Sequence, residues 1–317
     1  EADVLDELVP DWQQRNDGFV AKMLANRVER DELVFLLGSR FAIKIPEIFI
    51  PSSMHHEGNY AISVSELVNW LAGIARGLGV EIYTGFAAKE IITEDNLVRG
   101  VKLGDKGLDK ARKKQSNYTP GEIIEAKVTV FGEGSLGLLS EELASRFNLG
   151  NNRNPPVYSV GVKELIRLPE KNNFGPNRVI HTLGFPNQLL TPDIFGGGTM
   201  YSMGENMIAV ALLLALDWRY CDLNPQRELQ LFKSHRFVNR MVEGGEVVAC
   251  GAKTLPEGGY YSIPELVTNG AIIIGDAAGL TSVKKLKGLH YAIKSGMTAA
   301  EAIFKAIEEQ DFSKRTL

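Results

Sequence analysis

The sequence predicts an α/β fold (α+β in its mixture of layers) carrying a β-rich insertion, and three stretches predict it. An apolar strand from Ile123 to Phe131 runs into Gly132-Glu133-Gly134 and a short helix. A second apolar strand, Ala271 to Ile274, ends in Gly275-Asp276 and precedes a long helix from about Gly288 to Glu308. Between them, Tyr158 to Leu216 reads mostly as strand, as a large sheet requires. Strand–turn–helix units on either side of a run of strands give layered α/β structure interrupted by a sheet.

The remaining elements follow in order. Leu5 to Trp12 is a short segment of mixed apolar and acidic residues, and Arg30 to Met54, with Pro46 and Pro51, reads as extended chain on a sheet edge. From Ser65 to Gly79, Leu67, Val68, Leu71, Ile74, Ala75 and Leu78 recur at helical spacing, with Ser65 as cap and Gly79 as stop. Strands are expected at Glu81–Thr84, Ala88–Thr93 and Leu97–Leu103, then a charged surface loop from Gly104 to Glu122. Asn224 to Val242 reads as one helix. In the final helix, Leu289, Ala292, Ile293, Gly296, Ala300, Ile303 and Ile307 form the expected buried stripe.

Composition narrows the function. The 317 residues hold 35 Lys+Arg against 39 Asp+Glu, with 44% apolar and 23% charged residues, as in ordinary globular proteins. That length is ample for two domains, or for one with a large insertion. A net charge of −4 without a long basic run argues against a nucleic-acid partner. Cys221 and Cys250 are too few for a disulfide scaffold and form no CxxC pair. The longest apolar run, Met207 to Leu216, is far below the ~20 residues that span a bilayer. No signal-peptide pattern is present, and the opening at Glu1 rather than Met is read as a start lying further upstream.

Several constellations invite chemistry. Gly132-Glu133-Gly134-Ser135-Leu136-Gly137 matches GxGxxG, but the acidic partner expected about 20 residues on would fall in the loop Gly150 to Pro156. It reads as a primary phosphate cradle or as a secondary turn beside a cofactor. Gly275-Asp276 places a carboxylate at the C-terminal end of a buried strand, where open α/β sheets bind ligands; the alternative is an Asp that satisfies turn amides. Lys284, Lys285 and Lys287 precede the final helix, where they either meet an anion or stand solvated. His55 and His56 diverge as neighbours, while His181, His235 and His290 read as isolated structural histidines, so no metal site is expected. No GxSxG elbow occurs. Gly196-Gly197-Gly198 would weaken a strand unless something packs flat against it or the chain bends there.

Taken together, the chain resembles the electron-transfer flavoprotein–ubiquinone oxidoreductase family. The carrying segments are His56-Glu57-Gly58-Asn59-Tyr60, Lys127 to Gly134, Val162-Lys163-Glu164-Leu165, Gly258 to Leu266, and Val283 to Phe304 with Lys287-Gly288-Leu289-His290 and Lys294-Ser295-Gly296. The resemblance implies an incomplete FAD/NAD(P)-binding-type fold interleaved with a β-rich quinone-binding domain. Residues 1–50 would be quinone- and membrane-associated, 51–141 and 269–317 FAD-binding, and 142–268 quinone-binding. Implied cofactor contacts are Ala88, Glu133, Gly134, Gly275, Asp276, Gly288 and Leu289. Gly196 and Gly197 match a glycine pair implicated in quinone contact, with Phe195, Met200 and Tyr201 as walls. The reaction it implies passes electrons from reduced electron-transfer flavoprotein to ubiquinone through FAD and a 4Fe-4S cluster. The cluster's ligands, like the strand–GxGxxG–helix for the FAD pyrophosphate, would lie outside this chain, which is left with no metal ligands and no catalytic side chains of its own. Monotopic seating is also implied, on the mitochondrial inner membrane or the cytoplasmic face of a bacterial one, with Leu5, Leu8, Val9 and Trp12 as an apolar plateau. Asp276 stands where the family tends to a small residue such as Cys, and Ser282 and Leu289 stand where it favours Asn and Thr. The flavin potential is therefore expected to differ. The Gly-Asp turn alone also fits a geranylgeranyl-reductase-like or hydroxylating flavoprotein, and a fragment without FAD is the non-enzymatic alternative.

Overall fold

The computed structural model describes residues 2–187, 193–282 and 287–317. In chain order, α1 (Asp3–Leu8), α2 (Gly18–Ala25), β1 (Arg30–Leu37), β2 (Phe41–Lys44) and α3 (Val64–Gly77) come first. Next are β3 (Ala88–Glu94), β4 (Leu97–Leu103), β5 (Lys106–Leu108), β6 (Lys114–Thr119), β7 (Ile123–Glu125), β8 (Thr129–Phe131) and α4 (Leu138–Arg146). The chain continues through β9 (Tyr158–Arg167), β10 (Arg178–Gly184), β11 (Gly196–Gly204), β12 (Met207–Ala215), α5 (Pro225–Ser234), α6 (Arg236–Val242) and β13 (Glu246–Pro256). It ends with β14 (Val267–Thr268), β15 (Ala271–Ile273) and α7 (Leu289–Glu309). The mixed α/β character expected from the sequence is present.

Two compact units are assembled from alternating stretches. One takes the chain up to Gly79 and Val157–Glu257; the other takes Val80–Pro156, Gly258–Ser282 and Lys287–Leu317. These breaks differ from 50, 141 and 268. Trp70, Leu71 and Ile74 of α3 pack on the cluster Leu5, Val9, Trp12, Val20 and Met23, which holds α3 with the N-terminal helices.

The first unit is built on a seven-stranded sheet in the order β13-β9-β12-β11-β10-β1-β2. Its neighbours are antiparallel except β1 and β10, which run parallel with Leu33 opposite His181. One face buries Val34, Leu36, Ile180, Met200, Val210 and Leu212 under Leu229 and Phe232 of α5 and Val238 of α6. Successive strand side chains alternate faces, so this periodicity assigns His181, Thr199 and Tyr201 to the opposite face. In the second unit β8 lies parallel to β15, with β14 outside it, and β3-β4-β7 and β5-β6 form small antiparallel sheets. Its core joins Phe131, Leu139, Leu143, Ala271 and Ile273.

Local chemistry explains where boundaries moved. The α3 cap is Ser63, whose hydroxyl accepts from the Glu66 amide at 3.4 Å, so the helix starts earlier than Ser65. Asn224 caps α5 by accepting from Gln226 and Arg227, with Pro225 in the first turn. Asn224 to Val242 is two helices, because His235 leaves helical geometry and its Nδ1 accepts from the Phe237 amide to cap α6. The turn Asp95-Asn96, both at positive φ, closes the β3–β4 hairpin.

Other expectations are corrected. Glu81–Thr84 is not a strand, and the charged segment Gly104 to Glu122 holds the β5–β6 hairpin. Ile123 to Phe131 breaks into exposed β7 and partly buried β8. Leu5, Val9 and Trp12 are no plateau: they are core, and Trp12 Nε1 donates to Asp6 Oδ1 at 2.6 Å. The buried line of α7 is His290, Ala299 and Ala306, with Ala300 and Ile307 exposed. Met200 is fully buried in the core, so it walls no entrance, whereas Phe195 is exposed. Lys284 and Lys285 lie outside the described residues.

Candidate functional site

In the second unit, β8 and β15 deliver two glycine turns to one edge. Phe131 pairs with Ile273, so Gly132-Glu133-Gly134 and Gly275-Asp276 leave the sheet side by side at its C-terminal end. Gly134 and Gly275 adopt φ of +77° and +61°, a region that disfavours a side chain. The Gly275 amide donates to Ser295 Oγ of α7 at 3.0 Å, tying the turn to the helix. Thr281 Oγ1 donates to Asp276 Oδ1 at 3.5 Å. A Cβ on Gly288 would stand 3.3 Å from the same Asp276 oxygen. Gly275, Asp276, Gly288 and Leu289 therefore gather at the N-terminus of α7, which has no side-chain cap. Lys287 is held there by a backbone bridge to Ser282.

Glu133 is engaged differently. Its Oε2 accepts from both the Ser140 amide and hydroxyl at 2.7 Å, so the carboxylate caps α4 and leaves the backbone of 132–134 to face a ligand. Ala88 belongs to another sheet, where it opens β3 and is exposed. The edge suits part of a flavin nucleotide: two Cβ-free turns permit close approach, and a helix start whose cap residue, Gly288, has no side chain favours negative charge.

In the first unit, Gly196, Gly197 and Gly198 open β11. A Cβ on Gly196 would lie 2.2 Å from the Leu213 carbonyl oxygen, and one on Gly197 2.7 Å from that of Thr182. One on Gly198 would lie 2.4 Å from Phe232 Cζ. Neighbouring strands and α5 thus demand glycine here. The register shift between β11 and β12 falls at Ser202/Gly204, away from this trio. By strand alternation Gly197 shares its sheet face with His181 and Thr199, the latter two being direct cross-strand partners.

Sequence reasoning missed a side-chain cluster on this face. His56 Nδ1 stands 3.0 Å from Asp31 Oδ2, and the His56 amide donates to that oxygen at 2.6 Å. The His56 and His181 rings lie 4.7 Å apart between centroids, so His181 is not isolated. Burial pushes the Asp31 carboxyl up, but the His56 hydrogen bonds and the charge of His56 and His181 outweigh it, leaving it below its ordinary range. The signal was the adjacency of the β1 and β10 strands, which no local pattern reveals. Elsewhere on β9, buried Glu164 accepts from Lys233, Gln226 and Gln230; burial pushes its carboxyl up, but these donors, led by Lys233, hold it below the ordinary range.

Comparison with known proteins bears on both units. Residues 158–255, β9 through most of β13, match the family model described as ETF-QO, ubiquinone-binding. The chain is 40% identical over 306 residues to an electron transfer flavoprotein-ubiquinone oxidoreductase of Pseudomonas aeruginosa, covering 96% of this chain and 54% of that protein. It is 36% identical over 314 residues to the mitochondrial protein of that name in Homo sapiens, covering 98% and 49%. The chain spans about half the length of these relatives. Among solved structures, a geranylgeranyl bacteriochlorophyll reductase-like protein of Thermoplasma acidophilum aligns with TM-score 0.67 at 18% identity, over 92% of this chain and 65% of that one. A flavin-dependent brominase aligns at 0.64 and 15% identity, over 98% and 69%. Such distant likenesses establish the fold, that of FAD-dependent oxidoreductases and halogenases. Over nearly its whole length, then, the chain is similar to about half of each of these electron transfer flavoprotein-ubiquinone oxidoreductases, and its residues 158–255 match the ubiquinone-binding model.

Proposed function

We propose that this chain provides the quinone-binding unit and part of the flavin-binding edge of an enzyme that passes electrons from reduced electron-transfer flavoprotein to ubiquinone. The carrying observation is the match of 158–255 to the ubiquinone-binding model, in a chain whose other unit presents two glycine turns at one sheet edge. Bound FAD supplies the electron storage and transfer. Gly275 and Gly134 let the cofactor approach the backbone, Asp276 offers a carboxylate oxygen to a hydroxyl, and the α7 N-terminus favours negative charge on the reduced ring. Gly288 and Leu289 set that helix start, and Ala88 remains a peripheral contact. Gly196 and Gly197 present only backbone to a quinone at this sheet, in addition to meeting the packing demand that excludes a Cβ there. A 4Fe-4S cluster belongs to the same reading with ligands outside this chain, whose two exposed cysteines cannot supply four thiolates.

Attachment to a membrane surface fits the reading at a different place from Leu5–Trp12. Phe41, Ile43, Ile48 and Phe49, on β2 and the turn after it, are exposed by 55–87%, with Arg40 beside them for anionic headgroups while Lys44 pairs with Glu32. No helix among the described residues is long and apolar enough to cross a membrane. Flotation with anionic liposomes should be lost in Phe41→Ser/Phe49→Ser; unchanged flotation would reject this seat. The redox reading is tested by anaerobic reduction of a short-chain ubiquinone by the flavin-loaded protein with reduced electron-transfer flavoprotein. A protein that holds flavin and exchanges electrons with that donor, but never with quinone, would overturn it.

A further inference from the structure

We propose that Asp31, His56 and His181 form a site for one divalent transition-metal ion of the Zn2+ class. The site lies wholly within the first unit and does not depend on the redox reading.

Three separate elements supply the donors. Asp31 comes from β1, His181 from its parallel neighbour β10, and His56 from the segment between β2 and α3. One donor atom from each lies within 4.8 Å of the other two. Metal–ligand bonds of about 2.0–2.1 Å at a tetrahedral centre put ligand atoms about 3.3 Å apart. Asp31 and His56 already stand at 3.0 Å, so small side-chain rotations that bring in His181 close the set. Burial matches a built site rather than a solvated cluster: the side chains of His56 and Asp31 are only 10% and 14% exposed.

An Asp–His pair alone accounts for His56, which it anchors through two hydrogen bonds. The second imidazole, His181, lies beside it with ring centroids 4.7 Å apart and planes tilted by 36°. With both rings neutral, the set is two nitrogens and one carboxylate oxygen, of charge −1, which a dication complements. Two imidazoles select Zn, Cu, Ni or Fe over Ca and Mg. The His56 amide on Asp31 Oδ2 fixes the carboxylate as an outer partner does in metal centres. A cavity of about 20 Å3, lined by Asp31, His181, Glu47, His55 and Glu57 among others, adjoins the cluster. That is room for the one water needed as fourth ligand, and its carboxylates add attraction for a cation. Bound metal ties the 55–60 segment to the two parallel strands.

The test uses the 317-residue chain in a Cys221→Ser/Cys250→Ser background, which removes the only thiols, both exposed. Zn2+ content after dialysis should be one equivalent, and Co2+ should give the strong visible band of a tetrahedral centre. Asp31→Asn, His56→Ala and His181→Ala should each weaken Zn2+ binding at least ~10-fold, the size of effect seen even for lost outer partners. His55→Ala should leave it unchanged, since that ring turns instead toward the Ile50 carbonyl at 3.3 Å. Far-UV circular dichroism checks folding, and His181→Gln, which keeps size and polarity, reads the same loss if the alanine variant unfolds. A folded parent that retains no Zn2+, or a folded His181→Gln protein that binds Zn2+ as tightly as the parent, overturns the proposal.

Discussion

Two glycine clusters, one in each unit, look alike as sequence and differ in what occupies the place of the missing side chain. At Gly196, Gly197 and Gly198 that place is filled by the protein, with Leu213 and Thr182 carbonyl oxygens and the Phe232 ring within 2.2–2.7 Å of an added Cβ. At Gly132 and Gly275 the nearest atoms belong to the side chains of Ile274 and Ala292 at 3.4 Å, an ordinary contact. The first cluster needs glycine so that β10, β11, β12 and α5 can pack. The second has room for a Cβ, so its glycines answer to a positive φ at Gly275 and to whatever approaches the turn. A glycine run therefore points to a ligand only after the protein's own demand has been subtracted.

The largest expected effect attacks the first cluster. Gly198→Val drives a branched side chain into Phe232, which is fully buried, and overpacking of this severity exceeds the usual ~1–3 kcal/mol. Gly196→Val meets a strand carbonyl that cannot yield without shifting β12. Both variants should lose cooperative unfolding of the first unit in a urea titration followed by circular dichroism. A Gly196→Val protein that unfolds like its parent, yet no longer reduces ubiquinone, would reverse the comparison and make the ligand, rather than packing, the reason for glycine here.

Next in size is the ion pair beneath the same sheet. Glu164 and Lys233 pair with side chains 5% and 16% exposed, and Gln226 and Gln230 complete the carboxylate's partners. Lys233→Met leaves a buried charge uncompensated and should cost about 3 kcal/mol. Because the folded Glu164 carboxyl titrates below its ordinary range, its contribution is complete above that range and is lost as pH falls from there through the lower folded value. The parent's stability should therefore decline on acidification more steeply than that of Glu164→Gln. Parallel stability–pH curves would remove Glu164 from the account.

A smaller effect is expected at the second cluster. Gly275→Ala places a side chain at φ +61° with tolerable packing, so the loss should be about 1–2 kcal/mol, read as a lowered thermal midpoint. On the proposed reading flavin retention should fall with it, since the strained turn belongs to the proposed cofactor edge. A variant of unchanged stability would mean that the turn relaxes freely.

How much of this was legible follows the range of the interactions. β8 and β15 were readable because an apolar strand ending in glycine is a local signal, and Gly275-Asp276 followed from it. The division of Asn224 to Val242 was not, since His235 is neither Gly nor Pro and its capping role appears only once Phe232 and Val238 are buried. Leu5, Val9 and Trp12 looked like a surface because their partners, Val20 and Met23 with the apolar face of α3, lie further along the chain. The Asp31–His56–His181 cluster depends on strand pairing between β1 and β10, which lie far apart in the sequence. At Glu133 the family likeness implied a cofactor contact, and the structure adds a role that only the folded chain reveals: its carboxylate caps a helix.

That last point gives the mildest prediction. Glu133 is exposed, and its Oε2 holds the Ser140 amide and hydroxyl, so Glu133→Ala removes one cap from α4. Loss of a cap costs typically about 1 kcal/mol, and less where water can replace the acceptor. Ser140→Ala removes the hydroxyl contact but leaves the amide contact, so it should cost less than Glu133→Ala. In a double-mutant cycle the two changes should be non-additive, because they break one shared interaction. If the proposed cofactor edge is formed by the backbone of 132–134 rather than by this side chain, flavin affinity should stay within about twofold of the parent in Glu133→Ala. Additive effects on stability, or a tenfold loss of flavin without a stability change, would instead make Glu133 a cofactor ligand and the second glycine cluster an acidic site.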